Sequence, residues 1–157
     1  MPIQITWSSL GVAAAVLLLT GCAAPVVKFT PAPAGTVAIR LDEAQTRTLD
    51  VFPSLVGYAN PPTVTFPPGE YRPDAQYTAP NNPHKRGILY KPPGMLVTKG
   101  VPDSFAGERL HRGWLYINKE GEEWVGAMIE GYQAGWWEDR PPNGLKGEPI
   151  KYRIVEQ

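Results

Sequence analysis

This chain is poor in the residues that form most catalytic and metal sites. It contains one cysteine, Cys22, and two histidines, His84 and His111, among 157 residues. A single cysteine excludes an internal disulfide. Neither histidine belongs to a His-Glu-x-x-His motif or to a cysteine and histidine cluster, so we expect no metal site. The hydrophobic core must then stabilise the fold without cross-links.

Nucleophile motifs are missing as well. Beyond residue 22 the only serines are Ser54 and Ser104, and neither lies in a Gly-x-Ser-x-Gly sequence. Asp103, Ser104 and His111 follow no triad spacing. A group of carboxylates falls at a predicted turn, where a solvated loop is the simpler interpretation than a glycosidase pair: Glu120, Glu122 and Glu123. We therefore expect no enzyme, no catalytic residue and no cofactor.

Charge is sparse and evenly balanced. The chain has 15 basic and 15 acidic residues, all after Cys22, and 19% of its residues are charged, below the roughly 25% of average globular chains. This balance argues against binding to nucleic acid, which needs a clustered basic surface. Aromatic residues make up 10% of the chain, which argues against a disordered polypeptide.

A short apolar run from Leu10 to Leu19 leads directly to Leu19-Thr20-Gly21-Cys22. An apolar segment that ends in small residues is typical of a secretory signal. The tetrapeptide resembles the lipobox of bacterial lipoproteins. The resemblance implies a diacylglycerol on Cys22, removal of residues 1–21 and acylation, as by palmitate, of the new amino terminus. Ala23, in place of an aspartate, resembles an outer-membrane address, which implies the periplasmic side of that membrane.

Two alternatives to lipidation stay open from the residues alone. Residues 1–9 carry no Lys or Arg, although a signal normally begins with positive charge. An uncleaved anchor would need about 20 apolar residues to span the bilayer, roughly twice the run present. A soluble secreted protein would leave Cys22 without a role, because no second cysteine can pair with it.

Residues 22–35 are rich in proline and alanine and predict a lipidated tether, with a reach of at most about 50 Å. Residues 36–157 then form a single β-rich domain. Gly and Pro interrupt this domain so often that only Thr36 to Phe52 could hold a helix of ordinary length. Residues 42–51 fit a short helix or a returning strand equally well.

Short alternating segments predict an all-β fold, a small barrel or sandwich of short antiparallel strands joined by Pro/Gly-rich loops. The predicted strands are Thr36–Leu41, Thr63–Phe66, Gly87–Tyr90, Met95–Thr98 and Ile150–Ile154. The last of them places Ile150, Tyr152 and Ile154 on one side of a half-buried strand.

The strongest local pattern predicts a hairpin. Asn118-Lys119-Glu120-Gly121 fits a three-residue loop with Gly121 in the left-handed position. The register then pairs Asn118 with Glu122, Leu115 with Val125, Tyr116 with Trp124 and Trp114 with Gly126. Both faces are bulky, so we expect both to be covered. One face holds Leu115, Ile117, Val125, Ala127 and Ile129, and the other holds Trp114, Tyr116, Trp124 and Met128.

The region after Gly121 contains Gly135-Trp136-Trp137, then Asn143-Gly144-Leu145-Lys146-Gly147, Pro149 and Tyr152. Over about 35 residues this resembles the paired tryptophans, the Asn-Gly turn and the Pro…Tyr ending of SH3 domains. The spacing differs by one or two residues, and the opening Ala-Leu-Tyr-Asp-Tyr of that family is not clearly present. The resemblance implies that Trp136 lines a groove for proline-rich peptides. The alternative is a set of aromatic residues that fill the core of a small β-domain.

Two groups of residues are candidates for binding. Adjacent residues of a strand point to opposite sides, so either Trp136 or Trp137 should point outward and could contact a protein or a sugar. The candidate aromatic residues are Trp136, Trp137, Tyr132 and Trp114. The second group, His84, Lys85 and Arg86, lies in a predicted loop and could contact lipid phosphates or an acidic partner. A solvated loop is the alternative for that group.

These observations favour a lipid-anchored envelope protein that acts by contact, as a structural or accessory component of an outer-membrane or periplasmic assembly. Its expected partners are the membrane, through the lipid on Cys22, and an envelope protein, with no nucleic acid. A glycan-binding module that uses exposed aromatic residues on peptidoglycan or polysaccharide is the alternative. A hydrolase with an unrecognised site is the third hypothesis.

Overall fold

The computed structural model describes residues 28–50, 61–79, 82–100, 107–118, 125–130 and 143–156. Within these ranges every regular element is a β-strand, which confirms the all-β prediction. The first six strands are β1 Lys28–Pro31, β2 Ile39–Leu41, β3 Gln45–Asp50, β4 Thr63–Phe66, β5 Gly69–Ala79 and β6 Asn82–Lys91. The last six are β7 Leu96–Lys99, β8 Glu108–His111, β9 Gly113–Ile117, β10 Val125–Ile129, β11 Asn143–Lys146 and β12 Arg153–Ile154.

All the described strand pairs are antiparallel, and together they form one sheet. The order of hydrogen-bonded neighbours is β12-β2-β5-β6-β9-β10-β11-β3-β4-β7-β8, and β1 pairs with β5 beside this path. Between the described strands this order does not close into a barrel. The eleven-residue β5 pairs with β2 and then β1 along one edge, and with β6 along the other.

The main core lies on one face of the sheet, where β2 to β7, β9 and β10 supply buried side chains. Alternation produces this arrangement, since every second residue of a strand points to the same face. In β4, for example, Val64 and Phe66 are fully buried while Thr63 and Thr65 are half-buried. The largest side chains of this core include Ile39, Leu41, Leu49, Phe66, Tyr71, Tyr90, Leu96, Leu115 and Ile129. Each such burial contributes about 1.5–3 kcal/mol to folding.

A second, smaller core covers the opposite face of β5, β6, β9 and β10. Tyr77, Leu89, Tyr116 and Met128 are buried there. The rings of Tyr77 and Tyr116 meet edge to face, with centroids 5.7 Å apart. The half-buried residues around them are Phe29, Ala75, Ala79 and Trp114. Both faces of the predicted hairpin are therefore covered, as its bulky pattern indicated.

The hairpin of β9 and β10 forms, but its predicted register was wrong. Leu115 lies opposite Ala127, and Val125 lies opposite Ile117, so the pairing is shifted by two residues. A shift of two leaves every side chain on its predicted face, which is why the two cores contain the expected residues. The pairing predicted for a three-residue loop is therefore not the observed one. Gly121 and Trp124 lie outside the described residues.

The other predicted segments had mixed outcomes. Thr63–Phe66 forms β4 with the predicted bounds, and the open choice for residues 42–51 is resolved as the strand β3. The C-terminal prediction was largely wrong. Only Arg153–Ile154 pairs there, and Ile150 is buried while Tyr152 and Ile154 are exposed. Alternation suggested a strand, but the backbone of residues 147–152 crosses between two strands instead.

The structure also contains strands that the sequence did not predict. β1 lies within the predicted tether, and its Phe29 lies opposite Tyr77 of β5. Residues 28–31 therefore belong to the sheet and do not act as a free linker. β5 contains Pro73, a residue that argues against a strand, and its pairing with β6 shifts between Pro73 and Ala75. A proline is tolerated at such an irregularity because one ladder hydrogen bond is already absent.

Candidate functional site

The crossing segment, residues 147–152, carries the chain from β11 to β12 and is held by two side chains of β3. The side-chain amide of Gln45 forms hydrogen bonds with both the N–H and the carbonyl of Lys151. Its Nε2 donates to the Lys151 carbonyl at 2.6 Å, and the Lys151 N–H donates to Oε1 at 2.9 Å. A buried glutamine side chain thus replaces the backbone of a neighbouring strand. It satisfies two backbone groups that would otherwise lack hydrogen bonds.

Arg47, two residues along the same face of β3, holds the preceding part of the segment. Its guanidinium donates to the carbonyl of Glu148 and, at 2.9 Å, to the carbonyl of Pro149. It also donates to Oε1 of Gln45 at 3.1 Å. Because a guanidinium has five donors in a fixed plane, one residue can fix several backbone carbonyls. The position of the crossing segment is therefore set by β3.

A cleft of about 250 Å³ opens on one side of the crossing segment. Its lining includes buried Ile117 and Ile150 and half-buried Val125 and Leu145, so part of its wall belongs to the main core. The remaining lining combines the polar or aromatic side chains of Asn118, Glu148 and Tyr152 with Gly147 and Pro149. Such a mixture of apolar and convergent polar groups is typical of a small-molecule site.

A second, more open cleft of about 350 Å³ shares Tyr152 with the first. Its other lining residues are Asp42, Glu43, Gln45, Lys151 and Arg153. Asp42 pairs with Arg153 at 3.0 Å and lies 3.6 Å from Arg40, so part of this charge is already compensated. These pairs are exposed, and each contributes little to stability.

Tyr152 is the central residue of this candidate site. It is 37% exposed and lines both clefts. Behind it, burial raises the pKa of Tyr90, and Tyr152 adds to the shift, so the phenol of Tyr90 stays neutral well above neutral pH. A tyrosine between carboxylates and an amide can stack on a ring while its neighbours accept or donate hydrogen bonds. Sequence reasoning missed this site, although an aromatic residue between Lys151 and Arg153 was a possible signal.

Of the aromatic candidates from the sequence, the structure describes only Trp114. Trp114 lies half-buried at the border of the second core, where its Nε1–H donates to Oδ2 of Asp74 at 2.8 Å. Asp74 lies at the point where the register between β5 and β6 shifts. Such a bulge can redirect a side chain. Tyr132, Trp136 and Trp137 lie outside the described residues, so their binding role stays a prediction.

The basic candidates lie in a strand and not in the predicted loop. His84, Lys85 and Arg86 are part of β6, and Arg86 is exposed. Thr78 of β5 pairs with Arg86, whereas Ala79 pairs with Asn82, so residues 83–85 are extra residues on β6. The Pro, Asn and charged composition suggested a loop, but pairing with β5 extends the strand through this region.

Cys22 and the rest of residues 1–27 lie outside the described residues. Among those that are described, no helix has the length and hydropathy needed to cross a membrane. The same residues contain no group of three or more histidine, cysteine or acidic side chains placed to hold a metal ion. Comparisons with known protein families, with curated proteins and with solved structures found no match to this chain.

Proposed function

We propose that this chain is a lipid-anchored protein of a bacterial envelope, held through Cys22 on the periplasmic side of the outer membrane. The observation that supports this most directly is the position of β1. The strand begins at Lys28, only six residues after the lipobox cysteine, and pairs with β5 over four residues. Six extended residues reach about 20 Å, so the sheet stays close to the membrane surface.

We further propose that the protein acts by contact, as a structural or accessory component of an envelope assembly. The outer face of β3, β4, β7 and β8 offers a surface for this. Thr46, Thr65, Val97 and Leu110 form one register row across these strands, and Leu110 is 65% exposed. Half-buried Val97 and exposed Leu110 form a small apolar group beside two threonines, and we propose this group as the contact with a protein partner.

The anchoring is tested by mass spectrometry of the membrane fraction. We expect an acylated amino-terminal Cys22 and no peptide from residues 1–21. The Cys22→Ser variant should leave the membrane fraction and retain its leader. A variant that matures and fractionates like the wild type would contradict the proposed function.

The contact role is tested with a photo-reactive amino acid placed at Leu110 in cells. Ile154, which is 52% exposed on β12, is the matched control because it is another large exposed apolar residue. We expect a discrete cross-linked envelope protein from position 110, at reduced yield in the Cys22→Ser background. Equal cross-linking from both positions would show random encounters and not a contact surface.

The glycan-binding alternative is supported by one specific feature, the clefts that meet at Tyr152. We expect Tyr152→Ala to weaken sedimentation with peptidoglycan by at least about fivefold, the loss typical of an interface anchor. Tyr152→Phe should retain stacking, and Ile154→Ala controls for a nearby exposed apolar residue. Binding that all three variants retain, or no binding by the wild type, would exclude this alternative.

A further inference from the structure

Basic residues from two distant parts of the chain meet at one end of the sheet. Lys28 of β1 lies opposite Thr78 of β5, and Thr78 lies opposite Arg86 of β6. The three residues thus form one register row across three strands. Neighbouring strands are about 4.8 Å apart, which places the backbones of Lys28 and Arg86 roughly 10 Å from each other.

The extra residues of β6 add to this end of the sheet. His84 and Lys85 occupy the irregularity between the pairs Ala79–Asn82 and Thr78–Arg86. The backbone therefore gathers three basic residues and one histidine next to the last residues of β5. We call this set the basic end: Lys28, His84, Lys85 and Arg86.

The basic end also begins only a few residues after the proposed anchor. Lys28 follows Cys22 by six residues, so the row begins within about 20 Å of the lipid. Because the lipid already holds the protein on the membrane, the effective concentration of headgroups near the basic end is high, and even a weak contact can form. Even a few basic residues are then sufficient to orient the domain.

We propose that the basic end docks on anionic phospholipid headgroups of the membrane that holds the lipid on Cys22. The inference rests on the proposed lipidation and adds an orientation to it. A basic residue near an anionic membrane surface strengthens binding by roughly fivefold. Docking through β1, β5 and β6 leaves the clefts at Tyr152 and the face around Leu110 available for partners.

The experiment uses the mature lipidated protein incorporated into vesicles. One set contains phosphatidylcholine alone, and the other contains phosphatidylcholine with phosphatidylglycerol. Amide hydrogen exchange is followed by mass spectrometry in peptides that cover residues 75–90. We expect slower exchange at residues 82–86 in the anionic vesicles, and loss of that difference at high salt, because screening shortens the range of the attraction.

Two double variants separate a local effect from one of net charge. Lys85→Gln with Arg86→Gln removes two charges from the basic end. Lys91→Gln with Arg112→Gln removes two exposed charges away from the basic end: Lys91 is the last residue of β6, and Arg112 directly precedes β9. We expect the first pair to weaken docking roughly 25-fold, about fivefold for each residue, and the second pair to retain it.

The outcomes distinguish the two proposals. Incorporated protein that exchanges equally in both kinds of vesicle overturns the docking while leaving the anchoring intact. Equal losses from both double variants also overturn it, since net charge and not the basic end would then be responsible. Absence of an acyl group on Cys22 overturns the proposed function, and the docking with it.

Discussion

Gln45 holds Lys151 through two hydrogen bonds that imitate a pair of neighbouring strands. The side-chain amide supplies the donor and the acceptor that a β-strand backbone would supply. Among the described residues, β2 and β3 are consecutive in the chain but are not hydrogen-bonded neighbours in the sheet. The contact therefore joins two parts of the sheet that the backbone ladder leaves apart.

This contact predicts a large cost for removing the amide. Gln45→Ala should lower the free energy of unfolding by about 1–3 kcal/mol, because the Lys151 N–H and carbonyl lose their partners. Glu43→Ala, an exposed change two residues away, should stay within about 0.5 kcal/mol of the wild type. Urea denaturation measures both. Equal midpoints for the two variants would mean that Gln45 does not hold the crossing segment.

Gly87 is predicted to tolerate no side chain. A Cβ at this position would lie 2.6 Å from the Ile117 carbonyl and 2.6 Å from the ring of Tyr116. Gly87→Ala should therefore cost about 1–3 kcal/mol through displacement of β9 or of the ring. Gly94→Ala meets nothing within 4 Å and is the matched control. A melting temperature of Gly87→Ala equal to that of Gly94→Ala would contradict the packing of the second core.

The hydrogen bond from Trp114 to Asp74 predicts an energetic coupling between two residues 40 positions apart. Trp114→Phe keeps an aromatic ring but removes the donor, and Asp74→Ala removes the acceptor. A double-mutant cycle in urea should give a coupling energy of about 0.5–1.5 kcal/mol. Additive effects of the two changes would show that the bond contributes nothing to stability.

The buried tyrosines predict that the fold loses stability at alkaline pH. Burial raises the pKa of Tyr71, Tyr77, Tyr90 and Tyr116 above the ordinary value of about 10. Between that value and the higher folded pKa, the unfolded chain has lost protons that the folded chain keeps. Stability is therefore fully present below about pH 10 and falls as the pH rises above it, by about 1.4 kcal/mol per pH unit for each tyrosine.

The measurement is urea denaturation at several pH values, with tyrosinate absorbance followed in parallel. Tyr71→Phe loses the hydrogen bond to the Pro67 carbonyl, 2.7 Å long, so it should be less stable at neutral pH. It should also lose stability less steeply above about pH 10, because one fewer buried phenol can ionise. An unchanged slope would show that Tyr71 ionises in the folded state as readily as in the unfolded state.

The sequence predicted correctly which faces of β9 and β10 are buried in each core. Alternation alone assigned Leu115 and Ile117 to one face of the sheet and Tyr116 to the other, and these assignments are correct. Side-chain direction follows from the local backbone with a period of two. The same period explains the register error, since pairing Leu115 with Val125 or with Ala127 satisfies the pattern equally well.

Strands that depend on distant partners were beyond prediction. β1 falls in a proline-rich segment, and it is a strand because β5, more than 40 residues later, offers an edge to it. β5 itself includes Pro73, whose cost is absorbed at an irregularity. Local propensity reports neither the edge nor the irregularity, because both depend on tertiary pairing.

For the function, the proposed address comes from the lipobox resemblance, which is a contiguous pattern that ends at Cys22. The candidate contact surfaces depend instead on tertiary pairing. It placed Lys28 and Arg86 in one register row, and it placed Tyr152 between two clefts by fixing the crossing segment to Gln45. The physical reason is that strand pairing joins residues without regard to their separation in the chain, whereas a sequence pattern records only neighbours.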